Sequence, residues 1–152
     1  MKILSILTPK RRIGNLGERG AVRLLRKKGY RILAKNYTAL GAEIDIIARK
    51  KDLTVFVEVK TRNVKNLGYK EARPGSSVTP EKQRKIIKVA GYYSSHHPSD
   101  TRLRLDVIEV YVDDADGRIK IKEIRHIEGA FDKSTAFDSK YSYQRKKEGS
   151  NL

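Results

Sequence analysis

The twenty residues from Ala42 to Thr61 constrain the fold of this chain more than any others. Ile44, Ile46 and Ala48 alternate with Glu43, Asp45 and Ile47, and after Lys50-Lys51-Asp52 the residues Leu53, Val55, Val57 and Val59 alternate with Thr54, Phe56, Glu58 and Lys60. A period of two on both sides of a short polar break predicts a β-hairpin. A two-residue connection at Lys51-Asp52 sets Asp45 opposite Glu58 and Glu43 opposite Lys60, so these side chains share a face. Directly opposed Cβ atoms lie about 4.5–5.5 Å apart, and two ionised carboxylates at that separation repel by ~3 kcal/mol at an effective dielectric near 20. A shared proton, Lys60, or a divalent cation with oxygen ligands would offset the repulsion, and the cation does so best. An exposed face carrying a cross-strand salt bridge is the plainer alternative, although Phe56 and Ile47 on the same face predict that it is partly covered.

The flanking segments extend this unit into an α/β domain. Residues 1 to 12 hold Lys2, Lys10, Arg11 and Arg12 with no acid, and read as a basic N-terminal arm. From Ile13 to Gly29 the pattern is helical, with Leu16, Gly20/Ala21 and Leu24 on one line and Glu18, Val22 and Leu25 beside it. Gly17, Gly20 and Ala21 weaken a helix, so their use is a close approach of its backbone to another element. Residues 30 to 37 read as a strand, and 62 to 78 as a loop carrying Arg62, Lys65, Lys70 and Arg73. Thr79-Pro80-Glu81 reads as an N-cap, a first-turn proline and a dipole-complementing acid, opening a helix to about Ser95. Its apolar stripe is Ile86, Val89, Ala90 and Tyr93, with Lys82 one turn ahead. Strands at about 102–112 and 118–127 follow, and 132–152 is expected to be a disordered polar tail. The order α-β-β-β-α-β-β predicts one domain over 13–131, a central mixed sheet flanked by helices, with a crossover from the third strand to the fourth.

Charge narrows the partner. The 152 residues hold 34 Lys+Arg against 18 Asp+Glu, a formal +16, which favours a polyanion, nucleic acid first and an anionic membrane second. The absence of cysteine excludes disulfides and thiolate-bound metals. No apolar run is long enough to cross a bilayer, and Ile3-Leu4-Ser5-Ile6-Leu7 is too short for a signal-peptide core, so a cytoplasmic protein is expected. Glu18 stands out as the only acid in the first 42 residues, among 11 Lys+Arg. It is either a glutamate favourable to the helix dipole or a third carboxylate aimed at the sheet. Asp106 reads first as a structural acid paired with Arg104 or Lys82, and His126 as packing or turn chemistry.

Six ordered segments carry a resemblance over about residues 13 to 131: Gly14-Asn15-Leu16-Gly17-Glu18, Gly41-Ala42-Glu43-Ile44-Asp45-Ile46-Ile47, Phe56-Val57-Glu58-Val59-Lys60-Thr61-Arg62, Lys82 ahead of Ala90-Gly91-Tyr92-Tyr93, Arg104-Leu105-Asp106-Val107, and His126-Ile127-Glu128-Gly129-Ala130-Phe131. Together they resemble the YraN-like family of small bacterial proteins, regarded as predicted endonucleases similar to archaeal Holliday-junction resolvases and to the restriction-endonuclease-like superfamily. The resemblance implies a restriction-endonuclease-like mixed sheet and a PD-(D/E)xK site, in which Asp45 and Glu58 are metal ligands, Lys60 the catalytic lysine and Glu18 a further, helix-borne acid. Ile44 stands where the superfamily pattern has proline.

The expected activity is therefore Mg²⁺-dependent hydrolysis of DNA phosphodiester bonds, branched DNA included, with Mn²⁺ substituting. Arg11, Arg12, Arg62, Lys65, Lys70, Arg73 and Lys82 are the candidate phosphate contacts, which would give salt-dependent binding with little sequence information. Resolvase-like chemistry, which cuts two strands symmetrically, would favour a homodimer, by analogy only. The alternatives are a non-catalytic nucleic-acid-binding module on a nuclease-like fold, and an RNA- or ribosome-associated factor.

Overall fold

A computed structural model of the chain describes residues 8–64 and 78–132. Seven elements follow the expected order: α1 (Pro9–Lys27), β1 (Arg31–Ala39), β2 (Ala42–Lys50), β3 (Leu53–Asn63), α2 (Pro80–His96), β4 (Arg102–Asp113) and β5 (Lys120–Ile127). The five strands form one sheet in the order β1-β2-β3-β4-β5. All neighbours are antiparallel except β3 and β4, which run parallel, as the intervening α2 requires. The domain is a mixed α/β sheet consistent with a nuclease-like fold. No helix among the described residues is long and apolar enough to cross a membrane.

Each helix supplies one wall of a two-sided core. Ala21, Val22 and Leu25 of α1 pack with Ile46, Ala48, Val55, Val57, Ile108 and Val110, whereas Ile86, Val89, Ala90 and Tyr93 of α2 pack with Ile47, Phe56 and Val107. Both faces of β3 are thus apolar through its middle, and Val55, Phe56 and Val57 are fully buried. The charged side chains of β3, Glu58, Lys60 and Arg62, all lie in its C-terminal half.

Three sequence expectations change. Thr8 caps α1 by accepting the Arg11 N–H on its hydroxyl, and Pro9 occupies the first turn, so the helix starts four residues early. Lys10, Arg11 and Arg12 accordingly ride its exposed N-terminal turns instead of an arm. Arg62 belongs to β3, because the parallel ladder with β4 continues to Asn63↔Val112. Its guanidinium lies 3.9 Å from the buried Glu109 carboxylate, so it has an acidic neighbour within the sheet. Third, Ile44 does not share a side with Ile46: it packs in the α2-side core and Ile46 in the α1-side core. Asn36 of β1 takes a left-handed φ of 51°, and the β1–β2 ladder skips Asn36 and Asp45 between Lys35↔Ile46 and Tyr37↔Ile44. The kink breaks the alternation there, and Asp45 sits at the break. Lys65, Lys70, Arg73 and the tail beyond Asp132 lie outside the described residues.

The glycines of α1 do what their spacing implies. A Cβ on Gly17 would lie 1.8 Å from Thr61 Oγ1 and 2.9 Å from Thr61 Cβ, while one on Gly14 would meet nothing within 4 Å. Close contact with β3 at Gly17 is what sets the next residue, Glu18, against the sheet. Gly17→Ala is expected to cost about 1–3 kcal/mol by overpacking, whereas Gly14→Ala should stabilise by about 0.5–1 kcal/mol through helix propensity alone. Thermal melting of the two variants checks this, and equal shifts would remove the close-approach argument.

Candidate active site

The hairpin register is the one its turn dictates. β2 and β3 pair from Lys50↔Leu53 to Ile46↔Val57, with Lys51 at φ 53° in the turn. The paired ladder stops at that point, one step before Asp45 and Glu58, so the expected Glu43–Lys60 pair is not among the described pairings. In place of a further backbone pair, Asp45 Oδ2 accepts the Val59 N–H at 2.7 Å. The carboxylate is thereby anchored by its own neighbour strand at the point where the sheet opens.

Two carboxyl groups meet there. Glu58 is 4% exposed, and Asp45 shares a hydrogen bond with it. Burial, and then the charge of Glu58, push the Asp45 carboxyl from its ordinary 3.8 up to about 7, against the opposing effect of the Val59 N–H. Two ammonium groups answer from the other side of Glu58. Lys60 Nζ lies 3.5 Å from Glu58 Oε1, and Lys82 Nζ donates a close hydrogen bond to the same oxygen. Burial and the charge of Lys82 lower the pKa of Lys60. Burial acts in the same sense on Lys82, but its contact with Glu58 outweighs this and holds its pKa above the ordinary value.

Asp45 borders two cavities. The one on the α2 side, about 400 Å³, is bounded by Glu43, Asp45, Glu58, Thr79, Glu81 and Lys82 among others. The other, about 430 Å³, lies under α1 and includes Glu18, Asn36 and Asp45. Glu18 therefore stands across Asp45 from Glu58. It hydrogen bonds Asn36, and burial, followed by the negative charge of Glu43, raises its pKa. The structure thus brings Asp45, Glu58, Lys60 and Lys82 into contact, with Glu18 facing them from the α1 cavity.

Oxygen donors of this kind fit a hard cation. Two carboxylates held face to face, one of them with a raised pKa, suit Mg²⁺ or Mn²⁺, which retain several waters and need few protein ligands. Among the described residues no three acidic or imidazole side chains already stand at metal-ligating distance. The preformed part is therefore the Asp45–Glu58 pair, with Glu18 on the lining of the α1-side cavity that Asp45 shares.

Asp106, by contrast, belongs to a structural network. It is fully buried and receives Arg104 Nε on Oδ1 at 2.8 Å and Nη2 on Oδ2 at 2.9 Å. His126 Nε2 adds a contact to Oδ2 at 2.8 Å, and the Gly129 N–H donates to Oδ1 at 2.9 Å. Arg104 also donates to the Tyr30 hydroxyl, and Lys28 Nζ lies 2.8 Å from His126 Nδ1. Of the two partners the sequence allows for Asp106, the structure selects Arg104, and it assigns Lys82 to Glu58. Sequence reasoning overlooked Asn36, although asparagine is among the few residues that tolerate a left-handed backbone. It also overlooked the arginines of α1 that line the cavity beside Glu18.

Sequence comparison places the chain among known proteins. A UPF0102 protein of Chlorobium phaeobacteroides is 44% identical over 121 residues, covering 78% of this chain and 93% of its own length. One from Caldanaerobacter subterraneus subsp. tengcongensis is 41% identical over 123 residues, covering 80% and 96%. One from Clostridioides difficile is 44% identical over 119 residues, covering 78% and 95%. A family model described as "Uncharacterised protein family UPF0102" matches residues 17–110, a span that contains Glu18, Asp45, Glu58, Lys60 and Lys82. With alignment across most of both chains in each relative and this model match around the carboxylate pair, the protein belongs to the UPF0102, or YraN, family.

Proposed function

We propose that this protein is a divalent-metal-dependent endonuclease that hydrolyses DNA phosphodiester bonds. The observation that carries this reading is the Asp45–Glu58 carboxyl pair at the open end of the β2–β3 ladder, with Lys60 3.5 Å from Glu58. A Mg²⁺ ion bound there would supply a Lewis acid for the phosphodiester and charge for the leaving oxygen. Asp45 and Glu58 would hold it, with Glu18 facing the site from the α1 side. The depressed pKa of Lys60 suits a group that positions the attacking water and exchanges a proton with it. Lys82, which bonds Glu58 from the first turn of α2, would be placed to meet a phosphate oxygen. The surplus of +16 holds a polyanion over this acidic centre without reading its bases.

A specific observation favours a second reading, the non-catalytic nucleic-acid-binding module. Lys82 already neutralises Glu58, as an acid retained for folding alone would require. Cleavage of labelled linear, flapped and four-way DNA with Mn²⁺ separates the two, with Lys60→Ala as the comparison. Metal-dependent cutting by the wild type, reduced at least 10²-fold in Lys60→Ala, is expected on general acid–base grounds. Equal cutting by both proteins, or none by either, would leave the binding module.

A further inference from the structure

The cavity under α1 has a charge arrangement that the carboxyl pair does not explain. Arg19, Arg23 and Arg26 follow at helical spacing on one stripe of α1, and all three line the same cavity as Glu18 and Asp45. Lys35 and Asn36 of β1 complete the lining from the facing strand. All three arginines are exposed, and none has an ion-pair partner among the described residues. A helix that carries Lys10, Arg11, Arg12, Arg19, Arg23, Arg26 and Lys27 against the single acid Glu18 repels itself without an anion nearby. The order along the axis matters as well. Glu18 stands at one end, and the guanidiniums extend over the next eight residues, about 12 Å of helix.

We infer that this groove binds an unpaired DNA strand, with Arg19, Arg23 and Arg26 holding successive phosphates on one side of the bond presented to Asp45 and Glu58. Two features select a single strand over a duplex. Steps of three and four residues space the guanidiniums by about 4.5–6 Å along α1, which suits consecutive phosphates of an extended strand. A cavity of about 430 Å³ accommodates one or two nucleotides and no paired helix. The acid end and the basic end then divide the work: the carboxylates would hold the metal beside the phosphate to be cut, and the arginines fix the direction in which the strand continues. A frayed or flapped DNA, in which such a strand meets a duplex, is the substrate class this geometry fits. The inference rests on the nuclease reading for what happens at the acid end, and on the groove alone for strand binding.

Binding measured without divalent metal tests it in the full-length protein. Fluorescence anisotropy of a labelled single-stranded oligonucleotide and of a blunt duplex is compared for the wild type, for Arg19→Ala/Arg23→Ala/Arg26→Ala, and for the charge-matched control Lys51→Ala/Lys120→Ala/Lys122→Ala. The α1 variant should lose at least 10-fold in single-strand affinity, with the slope of log affinity against log salt reduced by about 2 for three lost phosphate contacts. Its duplex affinity should fall no further than that of the control. Arg23→Ala alone, together with photo-crosslinking of a halogenated oligonucleotide to α1 peptides, keeps the test decisive if the triple variant melts early. Equal losses for strand and duplex, or crosslinks confined to other elements, would overturn the groove while wild-type cutting with Mn²⁺ left the nuclease standing. Selective loss of strand binding in a protein that cuts nothing would instead support the groove and overturn the nuclease.

Discussion

Asp45→Asn is expected to abolish cleavage and, above neutral pH, to make the protein more stable. On the nuclease proposal the loss of activity follows from removing one of the two carboxylates that would hold the metal, and a drop of about 10²–10³-fold or more is the scale seen when a single charge-stabilising group leaves an active site. The gain in stability follows from proton linkage. The Asp45 pKa is about 7 in the folded protein against an ordinary 3.8. Below about pH 4 the group is protonated in both states and contributes nothing. Between these values the unfolded chain releases a proton that the folded one retains, so stability falls as pH rises. Above pH 7 the penalty is complete, on the order of 2–4 kcal/mol. Asparagine removes the charge facing Glu58 while its side-chain carbonyl can still accept the Val59 N–H. Melting curves from pH 4 to 9 should therefore show the variant drawing ahead of the wild type by roughly 5 °C or more at pH 8, with little difference at pH 4. Mn²⁺ should raise the wild-type melting temperature at pH 8 and leave Asp45→Asn unmoved. A variant that still cuts, or melts below the wild type throughout, would mean that Asp45 is a structural acid.

Asp106→Ala should have the opposite character, a large loss of stability. The carboxylate accepts four hydrogen bonds from Arg104, His126 and Gly129, and its removal leaves a guanidinium and an imidazole without their buried partner. Breaking such a pair from one side costs about 3–5 kcal/mol, which lowers the melting temperature by about 10 °C or more. The pH dependence runs the other way from that of Asp45. Burial alone would raise the Asp106 pKa, but the bonds from His126, Arg104 and the Gly129 N–H prevail and hold it below the ordinary value. Its contribution is therefore present above about pH 4 and is lost as pH falls through the depressed folded value. The gap between wild type and Asp106→Ala should be widest near neutrality and close in acid. A shift of only a degree or two at pH 7 would mean that Arg104 and His126 find other partners.

These two aspartates show what kind of information the chain carries locally. The alternation around Lys51-Asp52 sets the register from Lys50↔Leu53 to Ile46↔Val57, because side-chain period and turn length leave no other pairing that buries one face. Helix spacing likewise places Glu18 beside Val22 and Leu25, and Gly17 where α1 must touch β3. Asp106 with Arg104 is legible because residues two apart on a strand share a face.

Local pattern fails where two distant segments decide together. The left-handed Asn36 and the missing ladder step at Asp45 arise between β1 and β2, and the kink moves Ile44 to the α2-side core although its own strand continues. Lys82 reads as a lysine at the head of a helix, free to reach a phosphate or to stay in water; only the docking of α2 puts it on Glu58. Arg62 reads as loop and becomes strand because β4 supplies a parallel partner as far as Val112. Arg19, Arg23 and Arg26 look like the solvated side of an amphipathic helix, and it is β1 that turns that side into one wall of a cavity. Periodicity, turn length and glycine placement act through neighbours in the chain, so the sequence by itself determines the elements, the hairpin register and the identity of the facing carboxylates. Kinks, docked lysines and grooves depend on contacts between segments tens of residues apart, whose energies no single segment contains, and these only the tertiary structure decided.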